Sequence, residues 1–167
     1  MCESLDIKKG EDLWDIGTGT GLIALKAKQM GAKYVLATDF NPYAVKNARE
    51  NSKFLNLEID VRKADVFGDI KRKFDVITFN PPFTNNQARK DYEISFWDKD
   101  NKVVKRFFSS IQDYLKPNGR AFIAWSSFGK INILKKIAKD NNIKLIKVGR
   151  KISKRGWVYY VFKISFC

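Results

Sequence analysis

Histidine is absent from all 167 residues. Its absence removes serine–histidine–aspartate and cysteine–histidine chemistry and histidine-ligated metal sites together, and no metal is expected. Cysteine occurs only at positions 2 and 167. There is therefore no CxxC pair and no disulfide framework, which points to a reducing, cytoplasmic setting. No apolar run is long enough to span a membrane. Residues 1–9 hold Glu3, Asp6 and two lysines where a secretory signal needs an apolar core. Acids are scarce as well, at 18 against 32 lysines plus arginines, for a net charge of +14. Such an excess favours a polyanionic partner, with nucleic acid the first candidate. The bland account is a compositional bias toward lysine.

What is present reads as one soluble globular domain over residues 1–167, with enough chain to bury a core. Apolar residues make up 44 % and charged residues 30 %, in the ordinary globular range. Strands are expected at residues 12–16, 34–38, 58–62, 74–79, 120–125, 144–148 and 157–166. Helices are expected at 22–30, from Pro42 to about Lys53, at 101–115 and at 130–141. Asn41 caps the second helix and Pro42 opens it. Lys116-Pro117-Asn118-Gly119 reads as a strong turn. Alternating strands and helices predict an α/β, Rossmann-like fold, a mostly parallel seven-stranded sheet with helices on both faces. About eight residues join the last two strands, too few for a crossover helix, so they should pair as an antiparallel C-terminal hairpin at a sheet edge.

The first strand runs into Asp15-Ile16-Gly17-Thr18-Gly19-Thr20-Gly21. Glycines at this place let the chain turn tightly and let a ligand approach, making Gly17, Thr18, Gly19 and Gly21 candidate cofactor contacts. A dinucleotide would need to set its pyrophosphate on this turn, and Asp15 would repel it. S-adenosylmethionine carries no phosphate, and its ammonium and sulfonium would attract Asp15. Asp39 ends the second strand, where a carboxylate can accept both ribose hydroxyls; its alternative is a cap of the next helix, which Asn41 fills better. Asn41 lies beside it as a further candidate contact. Asp65 could accept from the adenine amino group with Val66 or Phe67 against the ring, or be a plain loop aspartate.

The fourth strand ends in Asn80-Pro81-Pro82-Phe83. Two prolines make this turn rigid, and it sits at the carboxyl edge of the sheet beside the cofactor cleft. A stiff turn is one reading. The other is chemical: the Asn80 side-chain oxygen and the Pro81 carbonyl accept the two hydrogens of a planar nitrogen, while Phe83 stacks on it. No strong base is required, consistent with the missing histidines.

In these motifs and their order the chain resembles the amino-methylating branch of class I S-adenosylmethionine-dependent methyltransferases, over almost its whole length. An antiparallel strand in an otherwise parallel sheet is similar to that family's fold. The resemblance implies S-adenosylmethionine as cofactor, S-adenosylhomocysteine as product, and catalytic roles for Asn80, Pro81, Pro82 and Phe83, with Asn80 also near the cofactor. It includes ribosomal RNA base methyltransferases and release-factor glutamine methyltransferases. The glutamine enzymes usually carry tyrosine where Phe83 stands; with the charge, this puts RNA, ribosomal or transfer, first and protein glutamine second. A non-catalytic RNA-binding module would have no use for an intact Asn80–Phe83 turn, and a dinucleotide oxidoreductase is disfavoured by Asp15. Family members carry a helical segment before the first strand, whereas here the glycines follow about a dozen residues. The resemblance therefore implies either a piece lacking a recognition segment or reliance on a partner subunit.

Two further stretches stand out. Residues 84–102 hold Tyr92, Phe96 and Trp97 and read either as a mobile flap over the acceptor or as aromatics capping the sheet. Trp125-Ser126-Ser127 ends a strand on the same edge. Lys147, Arg150, Lys151, Lys154 and Arg155 precede Trp157 in the final hairpin, an RNA surface or an edge protected by charge.

Overall fold

A computed structural model describes residues 5–84 and 97–166. The elements are β1 (Asp12–Ile16), α1 (Leu22–Gln29), β2 (Tyr34–Asp39), α2 (Pro42–Phe54), β3 (Asp60–Lys63), β4 (Phe74–Phe79), α3 (Lys102–Ser110), β5 (Leu115–Ser126), α4 (Ile131–Asp140), β6 (Ile143–Ile152) and β7 (Val158–Phe166). They form one seven-stranded sheet in the order β3-β2-β1-β4-β5-β7-β6. Every pairing is parallel except those of β7 with β5 and β6. The crossover from β5 through α4 leaves a gap one strand wide, and β7 folds back into it. The hairpin is therefore at the edge, as expected, with β6 rather than β7 outermost.

Alternation along the strands splits the core in two. Trp14, Ile16, Ile77, Phe79 and Ile123 face α3 and α4, joined by Val104, Phe107, Leu134 and Ile137. Leu13, Val35, Ala37 and Val76 face α1 and α2, joined by Ala24, Ala27, Val45 and Ala48. All five residues of β1 are buried, the expected state of a central parallel strand. Asn41 caps α2 as predicted, its side chain accepting from the Tyr43 amide at 2.9 Å.

Three boundaries differ from the sequence expectation by four residues or more. α3 ends at Ser110, a 3₁₀ turn spans Ile111–Tyr114, and β5 begins already at Leu115. Lys116-Pro117-Asn118-Gly119 is thus a bulge inside a strand, with Asn118 at φ 62° and a register shift opposite Phe74 and Val76. A Cβ on Gly119 would lie 2.9 Å from the Lys116 carbonyl and 3.0 Å from that of Phe74, so the bulge packs backbone on backbone. β6 runs on to Ile152, which puts Lys147, Arg150 and Lys151 on a strand and only Lys154 and Arg155 in the turn.

The amino ends of β1, β4 and β5 are tied by charge. Asp12 Oδ2 accepts from Arg72 at 2.6 Å and Lys116 at 2.8 Å, Lys116 also reaches Asp75 at 2.8 Å, and Asp75 accepts from the Asp12 amide. Burial raises the Asp12 pKa, but the Lys116 and Arg72 bonds outweigh it and hold the group below the usual carboxylate range. A depressed pKa stabilises above the unfolded value and loses that contribution as pH falls through the folded one. Asp12→Ala should cost about 1–3 kcal/mol near neutrality, shrinking below about pH 4. Urea midpoints for the two proteins across that range test this; a pH-independent difference would rule out the charged knot.

Candidate active site

The carboxyl ends of β1, β2 and β4 surround a cavity of about 500 Å³, within the roughly 300–1,000 Å³ of small-molecule sites. Of the residues singled out in the sequence, Gly17, Gly19, Asp39, Asn41, Asp65, Val66, Asn80 and Pro82 line it. Gly19 has φ 58°, and nothing lies within 4 Å of where its Cβ would be. The loop thus offers open space above a backbone only glycine adopts freely.

Asp39 holds this loop in shape. One of its oxygens accepts from the Gly19 amide and the other from the Asn41 amide, each at 2.9 Å. Opposite, Asp65 accepts from Arg106 Nη1 at 2.7 Å. Arg106 also lines the cavity and was not singled out in the sequence, because it comes from α3, far along the chain. Val66 sits at φ 55°, a strained place for a β-branched residue. A turn from the Gly68 amide to the Asp65 carbonyl, 3.1 Å long, holds it there.

Asp15 does not line the cavity. It is 1 % exposed, and its two oxygens accept from the Thr18 and Thr78 hydroxyls, each at 2.7 Å. The direct contact with a cofactor cation expected from the sequence gives way to this internal role. The reason is the pleat: Trp14 and Ile16 take one face of β1, so Asp15 turns to the other, beside Thr78 of the paired strand. Thr18 is likewise spent on Asp15. Gly21, at φ 84°, opens α1, where a Cβ would press on Ala48 at 3.3 Å. Burial pushes Asp15 up to about 6, against the lowering effect of the two hydroxyls.

The Asn80–Phe83 turn runs along the edge of the cavity. Asn80 is exposed, and its side chain has no hydrogen-bond partner among the described residues. Pro81 is buried beneath it, and Phe83 turns away from the cavity to meet Trp125 edge-on at 5.6 Å. Gly129 wedges this turn, since a Cβ there would lie 2.4 Å from the Phe83 carbonyl and 3.0 Å from the Trp125 ring. Thr84 and Trp97 bridge beyond it. The end of the expected flap is a 3₁₀ turn over Lys99–Asn101 leading into α3, with Asp98 and Asn101 buried, and residues 85–96, including Tyr92 and Phe96, lie outside the described residues. Among the described residues no cluster could hold a metal, and no helix is long and apolar enough to cross a membrane.

Two outcomes follow from this geometry. A raised carboxyl pKa costs stability as pH climbs from the unfolded value through the folded one. Relative to Asp15→Asn, the wild type should therefore lose about 3 kcal/mol between pH 3.8 and about 6, and parallel melting curves would refute it. Gly129→Ala should cost about 1–3 kcal/mol by overpacking and alter the near-ultraviolet dichroism of Trp125; an unchanged protein would mean the turn is not wedged.

The family model of the methyltransferase small domain matches residues 1–147. The chain is 40 % identical over 125 residues to the "Putative protein N5-glutamine methyltransferase" of Methanocaldococcus jannaschii, covering 71 % of this chain and 64 % of that one. It is 35 % identical over 121 residues to the release factor glutamine methyltransferase of Streptococcus pneumoniae, covering 65 % and 43 %. The chain thus spans under two thirds of either relative. A T. thermophilus 16S rRNA guanine-N2 methyltransferase, solved with AdoMet and guanosine, shares the fold at TM-score 0.69 and 21 % identity, over 96 % of this chain and 38 % of that one. The seven-stranded sheet with its antiparallel β7 and the match over residues 1–147 place this chain in the methyltransferase small domain family of S-adenosylmethionine-dependent enzymes.

Proposed function

We propose that the chain is an N-methyltransferase whose acceptor is the side-chain amide of a protein glutamine. The observation that carries this is Asn80, an exposed amide without a partner among the described residues, held by two prolines at the rim of the cofactor cavity. The sequence alone puts RNA first. The two curated relatives with glutamine in their names, at 40 % and 35 % identity, reverse that order. An exocyclic amino group of RNA is the second reading, favoured by the net charge of +14.

The residues present fit S-adenosylmethionine. Gly17 and Gly19 leave room for it, and Asp39, though engaged by two amides, keeps a lone pair on each oxygen for the ribose hydroxyls. Asp65, steadied by Arg106, and strained Val66 form the adenine end; Asn41 closes the ribose side. When bound, the cofactor supplies a methyl group from a sulfonium and leaves as S-adenosylhomocysteine.

An amide nitrogen is a weak nucleophile because its lone pair is delocalised. The Asn80 side-chain oxygen and the Pro81 carbonyl accept its two hydrogens and direct the lone pair at the methyl group. Pro81 and Pro82 fix both acceptors beforehand, so little reorganisation accompanies reaction. The proton is released after methylation, when the nitrogen has become acidic, and no histidine is needed.

Asn80→Ala should lower methylation of a glutamine peptide by about 100- to 1,000-fold while S-adenosylhomocysteine affinity stays nearly constant. Asp39→Ala should instead weaken that affinity by about 1.5–3 kcal/mol. Calorimetry and peptide mass spectrometry read the two. Near-wild-type turnover by Asn80→Ala would end the proposed nitrogen chemistry.

A further inference from the structure

A second cavity, of about 590 Å³, lies beyond the catalytic turn. Asn80 and Pro82 line the first cavity and Phe83 lines the second, so the tetrapeptide separates them. Phe128 and Trp157 form part of the wall, meeting edge-on at 4.8 Å, and Tyr159 continues it 6.5 Å from Phe83. Phe128 is 55 % exposed, Trp157 40 % and Tyr159 43 %. Three large rings left open to water beside a catalytic turn mark a surface awaiting a partner.

Each polar side chain that lines this cavity among the described residues has a proton to donate. Lys154 and Arg155 line the cavity and form no ion pair among the described residues. The Ser126 hydroxyl accepts from the Phe128 amide at 3.2 Å, and Ser153 accepts from the Trp157 amide at 3.1 Å. Each keeps its own proton to give. Among the described residues, no acidic side chain lines the cavity. Its complement is an acceptor-rich anionic group attached to something apolar.

We infer that this cavity docks the acceptor polypeptide beside its glutamine, with an aspartate or glutamate on Lys154 and Arg155 and an apolar side chain against Phe128 and Trp157. The inference rests on the glutamine reading above. A nucleic acid strand would need a run of cations converging on the cavity. The basic residues of β6 do not converge. Lys147 and Arg150 pair with Phe162 and Tyr160, whose side chains belong to the α3–α4 face, while only Lys151 lies across from Tyr159. Two cations at the end of an aromatic cavity match one carboxylate beside one apolar residue.

The test uses ten-residue peptides with a single glutamine, flanked by aspartate, by serine or by lysine, and the complete chain with S-adenosylmethionine at low ionic strength. The aspartate peptide should show kcat/KM about tenfold above the serine peptide. That ratio should fall to about one in Lys154→Ala/Arg155→Ala, and Lys154→Glu/Arg155→Glu should turn the preference toward the lysine peptide, which loss of structure alone would not do. Peptides methylated without charge preference, or an acidic preference surviving the double alanine variant, overturn the docking inference and leave the glutamine reading standing. Peptides all inert while an RNA oligonucleotide is methylated overturn the glutamine reading, and the docking inference falls with it.

Discussion

The site depends on a carboxylate that never reaches it. Asp15 lies at the tip of β1, buried, with the hydroxyls of Thr18 and Thr78 on its two oxygens. Thr18 belongs to the glycine loop that lines the cofactor cavity. Thr78 belongs to β4, two residues before Asn80. One buried group therefore fixes the glycine loop relative to the Asn80–Phe83 turn. The contact between them is close, since a Cβ on Gly17 would meet the Phe79 ring at 3.4 Å and the Asn80 carbonyl at 3.8 Å. Methyl transfer requires donor and acceptor atoms to be aligned within fractions of an ångström. A junction held by hydrogen bonds at the heart of the sheet serves that need better than loops held only by packing.

That arrangement is costly, and β1 shows where the cost is placed. Asp12, at the other end of the same strand, has two cations beside it and contributes favourably when charged. Asp15 has no cation in its hydrogen-bonding shell and is pushed up to about 6. Five residues thus carry two aspartates of opposite effect, the stabilising one at the end remote from the ligand. Val66 at φ 55° adds backbone strain at the cavity wall. Strain and desolvation gather where ligands are handled, and the salt-bridged end of the sheet offsets them.

Much of this was legible in the sequence because it is local. Alternating apolar runs, the Asn41-Pro42 start of α2, the glycine loop and the hairpin each announce themselves within a few residues. Asp39, Asp65, Val66 and Asn80 are legible from their places after strand ends and Asn41 from its place before a helix, and all five line the cavity. The misread features depend on partners far along the chain. The place of Asp15 at the strand tip suggests a ligand contact, whereas the pleat that seats Trp14 and Ile16 in one face turns it toward Thr18 and Thr78. Arg106 meets Asp65 across 41 residues, and nothing near either residue signals the pair. Lys116–Gly119 looked like a terminating turn because its residues are turn formers; only the backbones of β4 and β5 packing at Gly119 make it a bulge. Gly129, one glycine in a loop, gave no sign that Phe83 leans on it.

The rigid turn also divides the labour of the site. The cavity on one side is shaped by β1, β2 and the loop after β3, the elements to which the proposed function assigns the methyl donor. The cavity on the other is shaped by Phe83, the end of β5 and the β6–β7 hairpin, which the donor does not require. Sequence in the hairpin can therefore change what is presented to Asn80 without disturbing the loop that Asp39 holds. A flexible turn would couple the two, since any adjustment to a new acceptor would shift Asn80 relative to Gly17. Two prolines with Gly129 wedged behind Phe83 prevent that. On the proposed reading, rigidity at Pro81 and Pro82 would allow one donor site to serve acceptors chosen by a separate surface.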